Sequence, residues 1–307
     1  MMRIVLTGQA AFGAKVLQAL VEKGENVVAV YVPPEKPGGR PDPLKEGAIA
    51  SNIPVYQPAS YKDDEAFEQY KQLNPDLSML AFVTDIIPER FFAVPTHGAI
   101  CYHPSLLPRH RGASAINWAV IMGDKRTGLS VFWPDGGIDT GPVLLQKEIA
   151  IGPEDTTGGL YFDHLFPMGI DALVESVTLI KEGKAPKIRQ DESAATYEPP
   201  CDDSVGNINW SLPANELYNL VRGCDPQPGA FVMFKGEKLR FYGSKMVEQP
   251  TDKAPGTVLQ IDDQGVHTAI SGGEILVSKL KLGPGEKLPG AEFAAEQGLR
   301  EGDFLGG

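Results

Sequence analysis

The rhythm of the chain limits its possible folds more than any single residue. Through the first two-thirds, short apolar runs alternate with amphipathic stretches; beyond residue 204, short β-like runs are broken by Gly, Asp and Pro turns. The first pattern is that of an α/β domain with a mainly parallel sheet, the second that of a small β-barrel. Strands are expected at residues 3–7, 26–32, 77–83, 99–102, 129–133 and 143–149, and helices at 12–22, 62–73 and 114–122. A long helix is expected over 156–182, kinked at Pro167. Residues 33–43 hold five prolines and two glycines and read as a loop. Residues 183–204 turn polar and carry Pro186, Pro199 and Pro200, the composition of an interdomain linker. A helix over 214–222 and short strands at 230–234, 238–242, 257–261, 266–270 and 274–280 follow. The stretch after Pro289 carries no clear signal.

A length of 307 residues allows two cores. We therefore expect an N-terminal α/β domain over 1–203 and a C-terminal β-barrel domain over 204–307. The formal charge of −12 divides into −9 for residues 1–204 and −3 for 205–307. Neither half is basic, so nucleic acid is not an expected partner. No run nears the roughly 18 apolar residues of a membrane span, and the chain opens on a strand rather than a leader. Cys101, Cys201 and Cys224 are odd in number and lack metal-ligand spacing. A cytoplasmic protein without a metal is expected.

The loop Gly8-Gln9-Ala10-Ala11-Phe12-Gly13 follows the first strand, where a dinucleotide fold keeps its phosphate loop. It does not match G-x-G-x-x-G, and no acidic residue closes the second strand, so NAD(P) is not expected. A tight strand-to-helix turn accounts for it.

Two segments carry the chemistry. In Tyr102-His103-Pro104-Ser105-Leu106-Leu107-Pro108-Arg109-His110-Arg111-Gly112, a histidine leaves a strand into a proline-stiffened loop. Imidazole suits proton transfer near neutral pH. In Gly136-Gly137-Ile138-Asp139-Thr140-Gly141, a carboxylate sits among glycines, open to close approach. Beside His103, Asp139 would complete an acid–base pair; alone, it would be a turn-forming residue. His97, His164 and His267 read as surface or satisfied core positions. His110 reads the same way, although the flanking Arg109 and Arg111 form a cationic cluster suited to a substrate carboxylate.

These motifs resemble those of the folate-dependent formyltransferase family, and the resemblance spans essentially the whole chain. It rests on His-Pro-Ser-Leu-Leu-Pro with its Arg-Gly, on Gly-Ile-Asp-Thr-Gly, and on two later segments, Ile208-Asn209-Trp210-Ser211 and Arg222-Gly223-Cys224-Asp225-Pro226-Gln227-Pro228-Gly229-Ala230. It implies a Rossmann-like domain that binds 10-formyltetrahydrofolate, with His103 and Asp139 catalytic. The folate pocket would lie around Asp85, Ile86 and Ile87, with Asp139 also at its edge, followed by an OB-like barrel.

Residue 101 divides the family. Transferases acting on methionyl-tRNA or amino sugars place an asparagine there, whose amide supports the developing oxyanion. Here the residue is Cys101, a weak donor. The run from Tyr102 to Trp118, with Phe132-Trp133 and Leu165-Phe166-Pro167, is similar instead to the hydrolase domain of 10-formyltetrahydrofolate dehydrogenase. The expected reaction is hydrolysis of 10-formyltetrahydrofolate to tetrahydrofolate and formate; the alternative is formyl transfer to methionyl-tRNA, an amino sugar or another small amine. Asp139 would accept a proton from water or set the charge of His103; His103 would support the oxyanion or protonate N10. Cys101 is a minor candidate as a thioester-forming nucleophile. A chain of this length has no room for the carrier and oxidising domains of such a dehydrogenase, so a stand-alone hydrolase is expected.

Overall fold

A computed structural model describes residues 1–35 and 38–306, and the chain folds as two compact units. One comprises residues 1–112, 128–148 and 163–197, and the other 113–127, 149–162 and 198–307. The first elements in chain order are β1 (Arg3–Gly8), α1 (Ala10–Glu22), β2 (Asn26–Tyr31), α2 (Pro43–Ala50), β3 (Val55–Tyr56) and α3 (Asp64–Gln72). Then come β4 (Leu77–Ala81), β5 (Ala99–His103), α4 (Ala115–Ile121), β6 (Arg126–Phe132) and β7 (Val143–Ala150). A short α5 (Thr157–Gly159), a π-turn (Leu160–Leu165) and α6 (Phe166–Lys181) follow.

The first unit is built on a seven-stranded sheet of order β3-β2-β1-β4-β5-β6-β7. Pairings from β3 through β5 are parallel, and β5 meets β6 antiparallel. Alternation along β1 sends Ile4 and Leu6 into a core with Phe12, Val16, Leu173 and Val177, while Val5 joins Tyr31, Tyr61, Tyr70 and Phe91 on the opposite face. The strand order reverses direction between β1 and β4, which opens a crevice at their carboxyl ends. There Gln9 Nε2 donates to Thr84 Oγ1 at 3.3 Å.

Gly8 is needed for packing: a Cβ there would stand 2.2 Å from the Ala81 carbonyl oxygen of β4. The Ala10 N–H at the start of α1 is taken by the Asp42 carboxylate at 2.8 Å, which also caps α2 through Leu44 N–H. In a dinucleotide fold that end faces a pyrophosphate.

Some expectations need correction. Residues 33–43, of which 36 and 37 lie outside the described residues, do not stay a loop to the end. Pro43 opens α2 at the first helical position, where its missing N–H costs nothing. Pro167 does not kink a continuous helix: the π-turn interrupts residues 157–181, and Pro167 sits in the first turn of α6. β4 stops at Ala81 rather than Val83, since Phe82 turns left-handed at φ +60°.

In the second unit, α7 (Ala214–Gly223) precedes β8 (Phe231–Phe234), β9 (Glu237–Val247), β10 (Val258–Ile261), β11 (Val266–Ile270), β12 (Gly273–Leu282) and β13 (Leu288–Pro289). The strands form an antiparallel sheet of order β10-β11-β12-β9-β8, with β13 on β12. Leu217, Val221 and Cys224 pack with Leu239, Phe241, Ile275 and Val277 to make its core. The uninformative stretch after Pro289 folds as α8 (Gly290–Gln297), which buries Phe293 and Ala294. The fold class is thus α/β with a mainly parallel sheet, followed by a small antiparallel β domain. Among the described residues no helix is long and apolar enough to cross a membrane.

Candidate active site

His103 ends β5 and is buried, 6% exposed. Side chains alternate along a strand, so His103 and Cys101 share the face opposite Tyr102, whose ring packs on Phe12 at 4.6 Å. The ring nitrogen Nε2 lies 2.7 Å from the His110 carbonyl oxygen. A carbonyl only accepts, so Nε2 carries a proton and donates it. That bond turns Nδ1 toward Asp139, 3.5 Å from Oδ2. Asp139 is itself positioned, because the Gly112 N–H donates to the same oxygen at 2.8 Å. The two sequence motifs therefore converge, with one edge of the imidazole fixed by backbone and the other facing a carboxylate.

The histidine loop is stiffened by buried hydroxyls as well as by prolines. Ser105 Oγ donates to Arg109 O at 2.6 Å, and Ser130 Oγ, from β6, donates to Ser105 O at 2.7 Å and accepts from Leu107 N–H. Gln146 Nε2 reaches Leu107 O at 2.8 Å. His110 sits at φ +56° and Gly112 at φ +89°, so two residues of the loop occupy the left-handed region.

The aspartate turn needs its glycines. Asp139 is left-handed at φ +56°, a conformation that Asp tolerates better than bulky residues. A Cβ at Gly141 would stand 1.8 Å from the Trp133 carbonyl oxygen, a backbone atom that cannot yield cheaply. Gly141→Ala is expected to lower the melting temperature by several degrees and to reduce turnover; thermal melts and rate assays on the purified variant check this.

The support behind this turn joins Arg111, from the histidine motif, to Gln190, which lies in no motif. Arg111 is fully buried, and its guanidinium donates to Gln190 Oε1 at 2.9 Å, to both carboxylate oxygens of Glu192 and to Tyr197 Oη at 2.6 Å. Gln190 Nε2 then donates to the carbonyls of Asp139 and Gly141 at 2.8 and 2.6 Å. This corrects two expectations. Arg111 is held by the protein's own groups and is not open to a substrate carboxylate, and His110 beside it is buried. Residues 188–197, expected as part of a linker, brace the site: Thr196 Oγ1 accepts from His110 N–H and Thr196 O from Arg111 N–H.

The remaining expected residues fall in separate places. The loop after β4 leaves beside β5, Leu80 pairing with Cys101. Asp85 and Ile86 are exposed there, Ile86 to 81%, while Ile87 packs against the cluster around Tyr31 and Phe91. Cys101 is half-buried and packed with Leu107, Phe132 and Val143. Burial, with the Asp139 carboxylate adding to it, pushes the Cys101 thiol well above its ordinary range. His267 is flanked by Glu274 at 3.0 Å and Asp262 at 3.3 Å.

A mainly parallel sheet with a histidine–carboxylate pair at the carboxyl end of its inner strand β5, followed by an antiparallel β domain, is the frame of a two-part α/β enzyme. The formyl transferase family model matches residues 2–174, and the formyl transferase C-terminal domain model matches 202–298. The chain belongs to this folate-dependent family. It is 40% identical to the mitochondrial 10-formyltetrahydrofolate dehydrogenase of Mus musculus, over 95% of this chain and 33% of that protein. It is 36% identical to the methionyl-tRNA formyltransferase of Acetivibrio thermocellus, over 99% of this chain and 100% of that one. The chain thus spans about a third of the length of the dehydrogenases it matches. Among solved structures, HypX from Aquifex aeolicus in complex with tetrahydrofolic acid superposes with TM-score 0.70 at 18% identity, over 96% of this chain and 47% of that one. An N-formyltransferase from Helicobacter canadensis does so with TM-score 0.70 at 16% identity, over 90% and 99%. These last two likenesses are of fold.

Proposed function

We propose that this enzyme hydrolyses 10-formyltetrahydrofolate to tetrahydrofolate and formate in the cytoplasm. In this reading His103 and Asp139 handle the protons, residues 1–203 hold the folate, and Asp85, Ile86 and Ile87 cradle its pterin. The observation that carries the reading is the fixed imidazole: Nε2–H is committed to the His110 carbonyl, so exchange takes place at Nδ1, toward Asp139. Water adds to the formyl carbon and loses a proton to the Asp139 carboxylate, while the carbonyl electrons move to oxygen beside His103. Collapse re-forms the C=O bond and breaks the bond to N10, which takes a proton from the pair. One water is consumed, and formate leaves with release of one proton.

Cys101 supports water over a thioester route, because a thiol pushed upward by burial stays protonated and is a poor nucleophile. Cys101→Ala is expected to keep hydrolysis within about fivefold, the worth of about 1 kcal/mol for one weak hydrogen bond. Abolished turnover with folate binding intact would instead make Cys101 the nucleophile. Cys101→Asn is expected to fold normally and to raise transfer to amines.

The second reading is formyl transfer to an amine, favoured by the full-length match to a methionyl-tRNA formyltransferase. The net charge of −3 over residues 205–307 weighs against tRNA as the acceptor. A substrate labelled in its formyl group separates the two. Hydrolysis sends the label to formate at one rate with or without an added amine or tRNA; transfer sends it to an N-formyl product and stops without the acceptor.

A further inference from the structure

Cys201 and Cys224 are 23 positions apart in sequence, yet their sulfurs stand 3.8 Å from each other in the second unit, both as free thiols. Their surroundings differ. Cys224 is fully buried and caps α7, its N–H donating to Leu220 O and its carbonyl accepting from Gly229 N–H. Cys201 is half-buried in an irregular segment, its N–H donating to Ser114 Oγ at 3.1 Å. It also lines a solvent-open cavity of about 460 Å³, with Asp202, Asp203, Ser204, Gln227 and Pro228. Cys201 is thus partly open to solvent, whereas Cys224 is enclosed.

We propose that Cys201 and Cys224 form an oxidant-reactive dithiol, in which Cys201 takes an oxygen from hydrogen peroxide and Cys224 closes the pair to an intramolecular disulfide. The Cys201 thiolate attacks the peroxide, breaking its O–O bond and leaving a sulfenic acid and hydroxide, which takes up the thiol proton to become water. The Cys224 thiol then attacks the sulfenic sulfur, and a second water leaves as the S–S bond forms. The dithiol gives up two electrons and the peroxide accepts them. A disulfide needs the sulfurs at about 2.05 Å, an approach that the irregular segment bearing Cys201 can supply while α7 stays in place.

The chemistry of the pair assigns the roles. The hydrogen bond with Cys224 holds the Cys201 thiol below its ordinary range. The same contact, reinforced by burial, pushes the Cys224 thiol up. Asp202 and Asp203 line the cavity and Arg240 and Lys238 pair with Asp203, so these charges balance; the half-burial of Cys201 favours a small oxidant over a bulky disulfide.

The test exposes the folded full chain to hydrogen peroxide, and in parallel to oxidised glutathione, followed by thiol counting and non-reducing peptide mapping. The expected result with peroxide is loss of two of the three thiols, a mass lower by two hydrogen atoms, a linked Cys201–Cys224 peptide, and reversal by dithiothreitol. Cys224→Ser should trap Cys201 as a dimedone-reactive sulfenic acid, while Cys201→Ser should leave Cys224 unmodified. Oxidised glutathione should react at least tenfold more slowly. Three thiols still titratable after peroxide, a link involving Cys101, or oxidation of Cys201 to sulfinic acid with Cys224 still free would each overturn the proposal.

Discussion

Replacing His103 with alanine is expected to lower turnover on 10-formyltetrahydrofolate by at least about a hundredfold, the usual worth of a positioned acid–base group. Folate binding should persist, because the variant removes the imidazole and leaves the proposed pterin cradle at Asp85, Ile86 and Ile87 untouched. Asp139→Asn should cost a similar factor. The amide keeps an oxygen for the Gly112 N–H but cannot take a proton from water. The two changes should also be far from additive, since a pair that acts as a unit is lost with either member. Steady-state rates and folate affinity, measured on both single variants and the double, check this. Near-normal turnover in either folded single variant would remove the pair from the mechanism.

The second large effect is expected at Arg111. Glu192, its ionic partner, is 60% exposed, so solvent screens much of that attraction. The larger cost lies with Gln190, which is buried and loses the guanidinium donors to its carbonyl oxygen, and with the void that a truncated side chain leaves. Arg111→Ala is expected to destabilise the protein by about 2–4 kcal/mol, by comparison with other losses of buried hydrogen-bonded groups. Turnover should fall as well, because Gln190 holds the Asp139 and Gly141 carbonyls. Gln190→Leu separates the two effects. It keeps the volume and removes the hold on the aspartate turn, so kcat should fall by an order of tenfold or more while folate affinity changes little. Denaturant unfolding and kinetics on these variants would show it. A Gln190→Leu enzyme with normal kcat would mean that the turn holds its shape without this brace.

The parts of the fold legible in the sequence are those written in local patterns. Strand and helix periodicity places β1, β2, β5, α1 and α7 to within a residue or two, because burial on one face repeats at short range. The prolines around α2 mask it, although Asp42-Pro43 is an ordinary cap and first helical residue. The expected β4 overruns by two residues because nothing in Phe82 announces a left-handed turn. The site is half legible. His103 and Asp139 stand in distinctive loops, and the structure brings them within 3.5 Å. The brace is invisible in the sequence, since Arg111 and Gln190 are 79 positions apart and neither lies in a pattern that marks burial. The approach of Cys201 to Cys224 is hidden for the same reason, as tertiary packing alone joins them.

Hydrolysis and transfer part most sharply when the purified protein meets 10-formyltetrahydrofolate with no amine present, and tetrahydrofolate and formate are followed together. A hydrolase releases the two in equal amounts over many turnovers, and both should disappear in His103→Ala and Asp139→Asn. Folate that binds without releasing formate, and that gives up its formyl group as an N-formyl product only once an amine is added, would refute hydrolysis and establish transfer in its place.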